Sequence, residues 1–506
     1  MSTWGIQKTL PLLPDVDEPI YVNAAITMAS SGDMNPHWFG NPGSTTIYPL
    51  VVGYQIWHAV TAQGRLLAVD PNLQEHFVNQ SWQYFLLGRL LSVAYSVLSG
   101  ILIFHIGQIV FNRSIAFAGS WLYSLLPLVI FYNKMVRTDS AGTFFTLLSI
   151  FFCLKILTNR SLKWNVLAGL IIGVAISTRY FLVTLLFVLL TVDGLILWQL
   201  GKQKRVARGL FIEHIRDCMI GLLAVPLGFI LTTPYFFLDF GTVIQNLQVE
   251  ARTTHVGADG LSPLGNFSWY IQTALPSSLT IPLYCASIIG ILICLIHRKS
   301  LSLLIIAYSL VFIIAISTSA LHWNRWIIQI LPIFALLAAN GTYFTLEQLQ
   351  KISAINPQSV PFGLVFSVLL LFPMQAASML NIRQANDNPR LLAREWIINN
   401  LPQQSRILQE SYTAPLQKTS FQTVEVFSLS AQNALEILQT EHFDYAIVSS
   451  SIYNRYFNEP ERYREQIKFY EDLFSQSELV QEFIPTYWMT GPTLKIYRIK
   501  HTQMLK

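Results

Sequence analysis

Three carboxylates stand within four residues near the start of the chain, in Pro14-Asp15-Val16-Asp17-Glu18-Pro19-Ile20-Tyr21. Such a set can take a proton from a hydroxyl as that hydroxyl attacks, the work of a general base. It is also what an ordinary solvated chain end looks like, so the rest of the sequence has to decide where these acids sit. A fourth acid, Asp139, lies in Lys134-Met135-Val136-Arg137-Thr138-Asp139 between two apolar runs. An ionisable side chain there is costly unless it is paired or functional, which leaves an ion pair with Lys134 or Arg137 as the alternative to a working acid. Cations recur at similar points. Arg179 follows Ser177 and Thr178 at a helix end, where it either serves a site or snorkels. Arg325 follows His322 and Trp323 at the start of another helix, at a depth suited to a lipid phosphate or to anchoring the helix. The segment 237–275 carries Glu250, Arg252, His255 and Asp259 among glycines. It is polar enough to touch a ligand, though its spacing alone makes a weak metal site. Asp193, inside an apolar run, reads as a buried hydrogen-bonding residue.

The elements that must position these groups are membrane helices. Over 506 residues, 52% are hydrophobic and 12% charged, with a mean hydropathy of +0.44. Soluble domains carry roughly twice that charge. The net charge of +5 reports topology in such a protein and does not point to nucleic acid. Cys153, Cys218, Cys285 and Cys294 all fall in apolar runs and read as packed small side chains. Spans are expected at about 89–111, 115–133, 140–158, 165–180, 181–200, 218–236, 276–296, 300–320, 326–344 and 360–379, each apolar enough for a core of roughly 30 Å. The stretch 45–62 is diluted by Thr45, Thr46, Pro49, Gln55 and His58 and reads as an interfacial helix. Residues 1–44 are expected to hold neither a span nor a signal peptide.

Basic residues orient the spans. Arg113, then Lys155, Arg160 and Lys163, then Lys202, Lys204, Arg205, Arg208 and Arg216, then Arg298 and Lys299, then Lys351 mark every second connection as cytoplasmic. The other connections, around 134–139, 237–275 and 322–325, then face outward with everything after about residue 380. After the last span the composition becomes that of a soluble domain. A helix from Asn388 to Pro402 is followed by strands at 406–409, 423–429, 445–449 and 494–499, with helices at 431–439 and 459–475 between them. The expected division is an acidic first outer loop with interfacial helices over 1–88, a transmembrane domain of about ten helices over 89–379, and a small extracytoplasmic α/β domain over 380–506, a lid or recognition module. Ten helices would also suit a lipid-linked glycan flippase or transporter without chemistry of its own.

Read together, Asp17-Glu18 with Tyr21 behind it, Gly88-Arg89-Leu90-Leu91-Ser92 opening a span, and Arg137-Thr138-Asp139 before another resemble a family. It is the GT-C glycosyltransferases of the dolichyl-phosphate-mannose protein mannosyltransferase and lipid A aminoarabinose transferase superfamily. His37-Trp38-Phe39-Gly40-Asn41-Pro42-Gly43-Ser44, Thr233-Pro234-Tyr235 and the stretch 325–332 are similar to its bacterial branch. The likeness covers about residues 15–345. It implies transfer of a sugar from a polyprenyl-phosphate donor, with inversion, to an extracytoplasmic acceptor that is a protein, a lipid or a glycan, by an enzyme of the plasma or inner membrane. Asp17 matches the family's general base, Glu18 its acidic neighbour and Asp139 its second acidic position. Tyr21, Arg137, Arg179, Arg252, His255, His322 and Arg325 fall on the donor side, where cations stabilise a departing phosphate. Some relatives use a divalent metal, in whose binding Asp17, Glu18 or His255 could take part; no other cofactor is implied. Two departures stand out. Relatives begin with a transmembrane helix that brings the acidic loop outside, so the start of this sequence is expected to be cut short; the alternative is that 45–62 spans and leaves the acidic cluster in the cytosol, where Asp17 could not act with Asp139, and a further reading is a homologue made inactive by the missing helix. Many relatives also carry a basic residue before the proline matched by Pro42, where this chain has Asn41.

Overall fold

In the computed structural model, which describes residues 1–12, 15–62, 69–202, 207–298, 300–352, 362–431, 434 and 441–499, the apolar runs become helices because a backbone in hydrocarbon must satisfy its own hydrogen bonds. Among the described residues, six stretches are long and apolar enough to cross a membrane: Asn72–Val110, Thr138–Thr158, Tyr180–Gly201, Gly209–Thr232, Ser300–Ser317 and Phe366–Asn400. Two bent pairs make up to eight, Arg113–Ser124 with Pro127–Asn133 at 60° and Pro263–Leu279 with Ile281–His297 at 119°. The first breaks just before Pro127, and the second at Thr280, whose φ is 73°, two residues before Pro282. Proline removes a helical donor, which is why the breaks fall there. Leu162–Thr178 is a shorter apolar helix of 17 residues.

The elements that matter below are α1 (Glu18–Ser31), α2 (Ser44–Thr61), α3 (Asn72–Val110), α4 (Arg113–Ser124), α5 (Pro127–Asn133), α6 (Thr138–Thr158), α7 (Leu162–Thr178), α8 (Leu186–Lys202) and α9 (Ala207–Thr232). The α2 helix, the expected interfacial stretch, is not among the helices that qualify as spans. It buries Ile47, Leu50, Val51 and Tyr54 against Tyr21, Val22, Ala25 and Ile26 of α1 and against Tyr84 and Phe85 of α3. The basic residues Lys204, Arg205 and Lys299 lie outside the described residues, as do Pro14 and most of the expected helix at 431–439.

The α7 and α9 backbones meet through glycine. Gly169 and Gly173 are spaced four apart on one face of α7, a small-residue seam of the kind that lets membrane helices approach closely. A Cβ on Gly173 would stand 2.1 Å from the Val225 carbonyl oxygen, and one on Gly228 would stand 2.1 Å from that of Leu170.

The chain divides into two units, residues 1–254 with 260–378 and residues 255–259 with 379–506. The second unit is built on a five-stranded mixed sheet in the order β2-β1-β3-β5-β4, with β1 (Arg406–Glu410), β2 (Gln422–Val426), β3 (Tyr445–Ser449), β4 (Glu478–Phe483) and β5 (Leu494–Arg498). β1 pairs in parallel with β2 and β3, and β5 pairs antiparallel to β3 and β4. Alternation along β3 fills two cores. Tyr445 and Ile447 join Ala393 and Ile397 of the helix Pro389–Asn400, while Ala446 and Val448 join Ile452, Tyr453, Tyr470 and Leu473 of the helices Ser450–Phe457 and Arg464–Gln476. The strand β4 was not expected. Its slip at Leu479/Gln481 breaks the period-two signal that marks a strand in sequence.

Glu410, at the end of β1, is fully buried and accepts hydrogen bonds from the backbone N–H groups of Leu429 (3.0 Å) and Ser449 (2.9 Å) and from the Tyr470 hydroxyl. Burial pushes its carboxyl up to about 7 despite these donors.

Two outcomes follow. Gly173→Val should lower the unfolding temperature of the detergent-solubilised protein by the equivalent of about 1–3 kcal/mol of overpacking, while Gly194→Val, which meets nothing within 4 Å, should leave it unchanged. Because the folded acid at 410 binds its proton more tightly than the unfolded one, the second unit keeps the full contribution of that acid below about pH 4.5. It should lose roughly 3 kcal/mol as pH rises through about 7. Glu410→Gln should flatten that slope in pH-dependent thermal unfolding.

Candidate active site

Two helix starts supply the acids. Asp17 is the residue before α1, and Glu18 is the first residue inside it. At a helix start a carboxylate commonly caps the backbone, but Asp17 makes no such bond. Its Oδ2 instead lies 2.5 Å from Arg137 Nη2 and 3.1 Å from Arg325 Nη1. Arg137 is the residue before α6, and Asp139 sits in the first turn of that helix, where the positive end of the dipole favours an acid.

Arg137 is the hub. Its Nη1 lies 2.8 Å from Asp15 Oδ1, its Nη2 holds Asp17, and its Nε lies 3.3 Å from Asp139 Oδ2. Arg179, just past the end of α7, closes the other side of Asp139 at 2.8 Å from Oδ1. The fork of guanidinium donors suits one cation to several carboxylates in fixed directions. Three acids thus meet three arginines, and their exposure differs sharply. Asp139 is sealed at 0%, with Arg137 at 7% and Arg179 at 4%, whereas Asp17 keeps 36% and Arg325 18% of their side-chain surface.

Glu18 points the other way. With 0% exposure, it takes Arg89 in a two-toothed pair (Nε to Oε1 2.8 Å, Nη2 to Oε2 2.7 Å) and the backbone N–H groups of Val136 (2.9 Å) and Asp15 (2.7 Å). Arg89 also donates to the Ile6 carbonyl at 2.5 Å. This pair ties the acidic segment, α3 and the link before α6 into one piece, one residue away from both Asp17 and Arg137. In the sequence Arg89 stands out only as part of the family-like stretch Gly88–Ser92, with no sign of this task. The available signal was a cation embedded in an apolar span, which demands a partner.

Of the remaining expected residues, Tyr21 lies at the cluster, within electrostatic reach of Arg137, Arg179, Asp17 and Asp139, and the others are scattered. Tyr21 is buried at 4% within α1. His322 rests against the ring of Trp269, centroids 4.3 Å apart. Arg252 is exposed just after the helix Phe240–Glu250. His255 belongs to the second unit, where its backbone N–H donates to Asp259 at 2.7 Å. The family-like stretch 37–44 is stitched down by Tyr180, whose hydroxyl donates to the Phe39 carbonyl at 2.7 Å, by Asn246 on the Phe39 N–H at 2.8 Å, and by Ser44 against Thr233 at 2.9 Å. A divalent metal does not fit this donor set. The oxygens of Asp15, Asp17 and Glu18 face guanidinium and backbone N–H donors, and among the described residues no group of three His, Cys, Asp or Glu side chains is placed to hold an ion.

The family profile of dolichyl-phosphate-mannose-protein mannosyltransferases matches residues 81–226, which include Arg89, Arg137, Asp139 and Arg179. The structure of ArnT from Cupriavidus metallidurans bound to undecaprenyl phosphate superposes with a TM-score of 0.52 at 13% identity, covering 97% of this chain and 95% of that one. Its apo form gives a TM-score of 0.53 at 14% identity with the same coverage. At these identities the likeness is one of fold, and it extends through both units. No curated protein matches the sequence. The resemblance to the GT-C glycosyltransferases therefore holds at the level of fold, and the chain is a multi-pass membrane protein of that fold with a small C-terminal sheet domain.

Breaking the buried Glu18–Arg89 pair from one side leaves an uncompensated charge, at a cost of about 3–5 kcal/mol. Glu18→Gln and Arg89→Met should each strongly depress thermal stability in detergent, and the double variant should lose much less than the sum of the two, as a double-mutant cycle measures.

Proposed function

We propose that the chain is an integral-membrane glycosyltransferase that moves a sugar from a polyprenyl-phosphate donor to an acceptor hydroxyl, with Asp17 as general base. One observation carries the reading: among the acids held in the arginine cluster, Asp17 keeps the most side-chain surface open, and it shares that opening with Arg325. A carboxylate that reacts must be reachable, and a cation that meets a phosphate must be too. Asp139 and Glu18 are neither exposed nor free of partners, so their work is to position. Asp139 fixes the Arg137 and Arg179 guanidiniums, and Glu18 fixes the backbone from which Arg137 projects.

In the proposed step the acceptor oxygen forms a bond to the anomeric carbon as the bond from that carbon to the phosphate oxygen breaks, on the opposite face, giving inversion. The hydroxyl proton passes to the Asp17 carboxylate. The electron pair of the broken bond leaves on the polyprenyl phosphate, whose growing negative charge is met by Arg325 and, behind it, Arg137. A preplaced cation needs no reorganisation as charge develops, which is what makes such a site catalytic. The acceptor is a protein, a lipid or a glycan. The fold likeness to ArnT, solved with undecaprenyl phosphate, supports a lipid-phosphate donor. The placement proposed for the protein is the plasma or inner membrane, with the acidic cluster and the second unit on the extracytoplasmic face.

The test is transfer from radiolabelled polyprenyl-phosphate sugars in membranes carrying the wild-type chain or Asp17→Asn. Loss of about 10²–10⁴-fold in rate is the share a positioned base supplies. Wild-type rates in the variant would remove Asp17 from the mechanism, and wild-type membranes inert toward every such donor would remove the reaction itself.

A further inference from the structure

The connection from β4 to β5 reads Phe483-Ile-Pro-Thr-Tyr-Trp-Met-Thr-Gly-Pro-Thr-Leu494, with no charged residue between Glu482 and Lys495. A loop tip on a soluble surface is normally polar. Here Ile484 is 64%, Tyr487 63% and Trp488 52% exposed, the three most exposed large apolar side chains described in the second unit. They sit together on one short turn closed by the Met489 N–H on the Thr486 carbonyl at 3.1 Å. A cluster of this kind marks a surface that meets something.

The loop is stapled to the end of a membrane helix. That helix, Phe362–Ala385, carries one charge, Arg383, in its last turn. Its outer face presents Val368, Leu371, Phe372 and Met374, all exposed. Its 24 residues give about 36 Å of helix, a little more than a hydrocarbon core of roughly 30 Å. Arg383 therefore stands at the level where the helix leaves the core. Its Nε donates to the Tyr487 carbonyl at 2.7 Å, and its guanidinium lies 4.8 Å from the centre of the Tyr487 ring. Asn386, one turn on, donates to the Trp488 carbonyl at 2.7 Å. On the far side of the loop, Gly491 adopts a φ of 144° against Pro389, where a Cβ would come within 2.7 Å of the proline ring. Backbone contacts on both sides thus hold the loop at the depth of the helix end, with its side chains turned outward. Trp and Tyr favour that depth, since their rings are apolar and their N–H and O–H groups still reach water.

We propose that the Ile484–Met489 loop is a membrane anchor, its Tyr487 and Trp488 rings seated in the headgroup layer of the bilayer beside the end of the Phe362–Ala385 helix. The partner is lipid. The anchor fixes the second unit to the membrane surface at a second point besides the chain itself, whatever reaction the protein performs.

Nitroxide accessibility in liposomes of phosphatidylethanolamine and phosphatidylglycerol tests this. Cys153, Cys218, Cys285 and Cys294 are replaced by Ser, and single labels are placed through Trp488→Cys, Ile484→Cys and, as a solvent reference, Glu461→Cys, whose side chain is 85% exposed. Labels at 484 and 488 should show a several-fold higher ratio of oxygen to nickel-chelate collisions than the label at 461. Equal ratios, or labels at 484 and 488 shielded from both reagents as under a protein partner, would overturn the anchor. Should the cysteine-free chain not fold, the fluorescence difference between the wild type and Trp488→Phe serves instead. That difference should be quenched more by lipids brominated near the headgroup than by lipids brominated near the chain end, and no quenching by either would count against it.

Discussion

A carboxylate with no exposed surface must be matched where it lies, because the cost of taking an ion out of water is several kcal/mol even after the protein relaxes. Glu18 meets that demand with one arginine and two backbone N–H groups, drawn from three separated parts of the chain. The consequence is positional. Bonding the Val136 N–H fixes the backbone one residue before Arg137, and bonding Arg89 fixes the acidic segment to α3. Arg137 can then direct its three nitrogens at Asp15, Asp17 and Asp139 without searching. The chemistry proposed for Asp17 thus depends on an ion pair that never touches a substrate.

Two neighbours in sequence meet opposite fates for a reason of helix geometry. Asp17 precedes α1 and still follows the incoming chain, so its carboxylate stays on the open side with Arg325. Glu18 is already in the helix, turned about 100° away because a helix turns once every 3.6 residues, and faces the core. A run of acids that reads as one feature is in fact one reachable group and one structural post.

Much of this was legible in the sequence because membrane proteins have few options. Long apolar runs must be helices, and ionisable residues beside them need partners, which is how Asp139, Arg137, Arg179 and Arg325 could be singled out before their contacts were known. The pairing itself was not legible. Arg89 and Glu18 are separated by 71 residues, and nothing local in either stretch names the other. Arg252, His255 and His322 stand out in sequence as polar residues in segments expected to face outward, a criterion that says which groups water or a ligand could reach but not which of them converge. In the second unit, β1, β2, β3 and β5 follow from β-branched and aromatic runs. β4 hides because its bulge spoils the alternation and its partly exposed face keeps Glu478, Gln481 and Glu482.

Charge balance sets the terms on which a donor could enter. Asp15, Asp17 and Asp139 are countered by Arg137, Arg179 and Arg325, so the cluster is close to neutral as it stands. A lipid phosphate arriving there adds negative charge and must displace or share a cation. Arg137 and Arg179 are the poor candidates, since each is more than nine-tenths buried and committed to Asp139. Among the described residues, Arg325 has one acid partner, open surface, and a buried Nε with no hydrogen-bond partner. On the proposed reading, a phosphate would draw Arg325 from Asp17. The base would then lose one of its two arginines at the moment the donor binds, so that arrival of the leaving group and release of the carboxylate become one event.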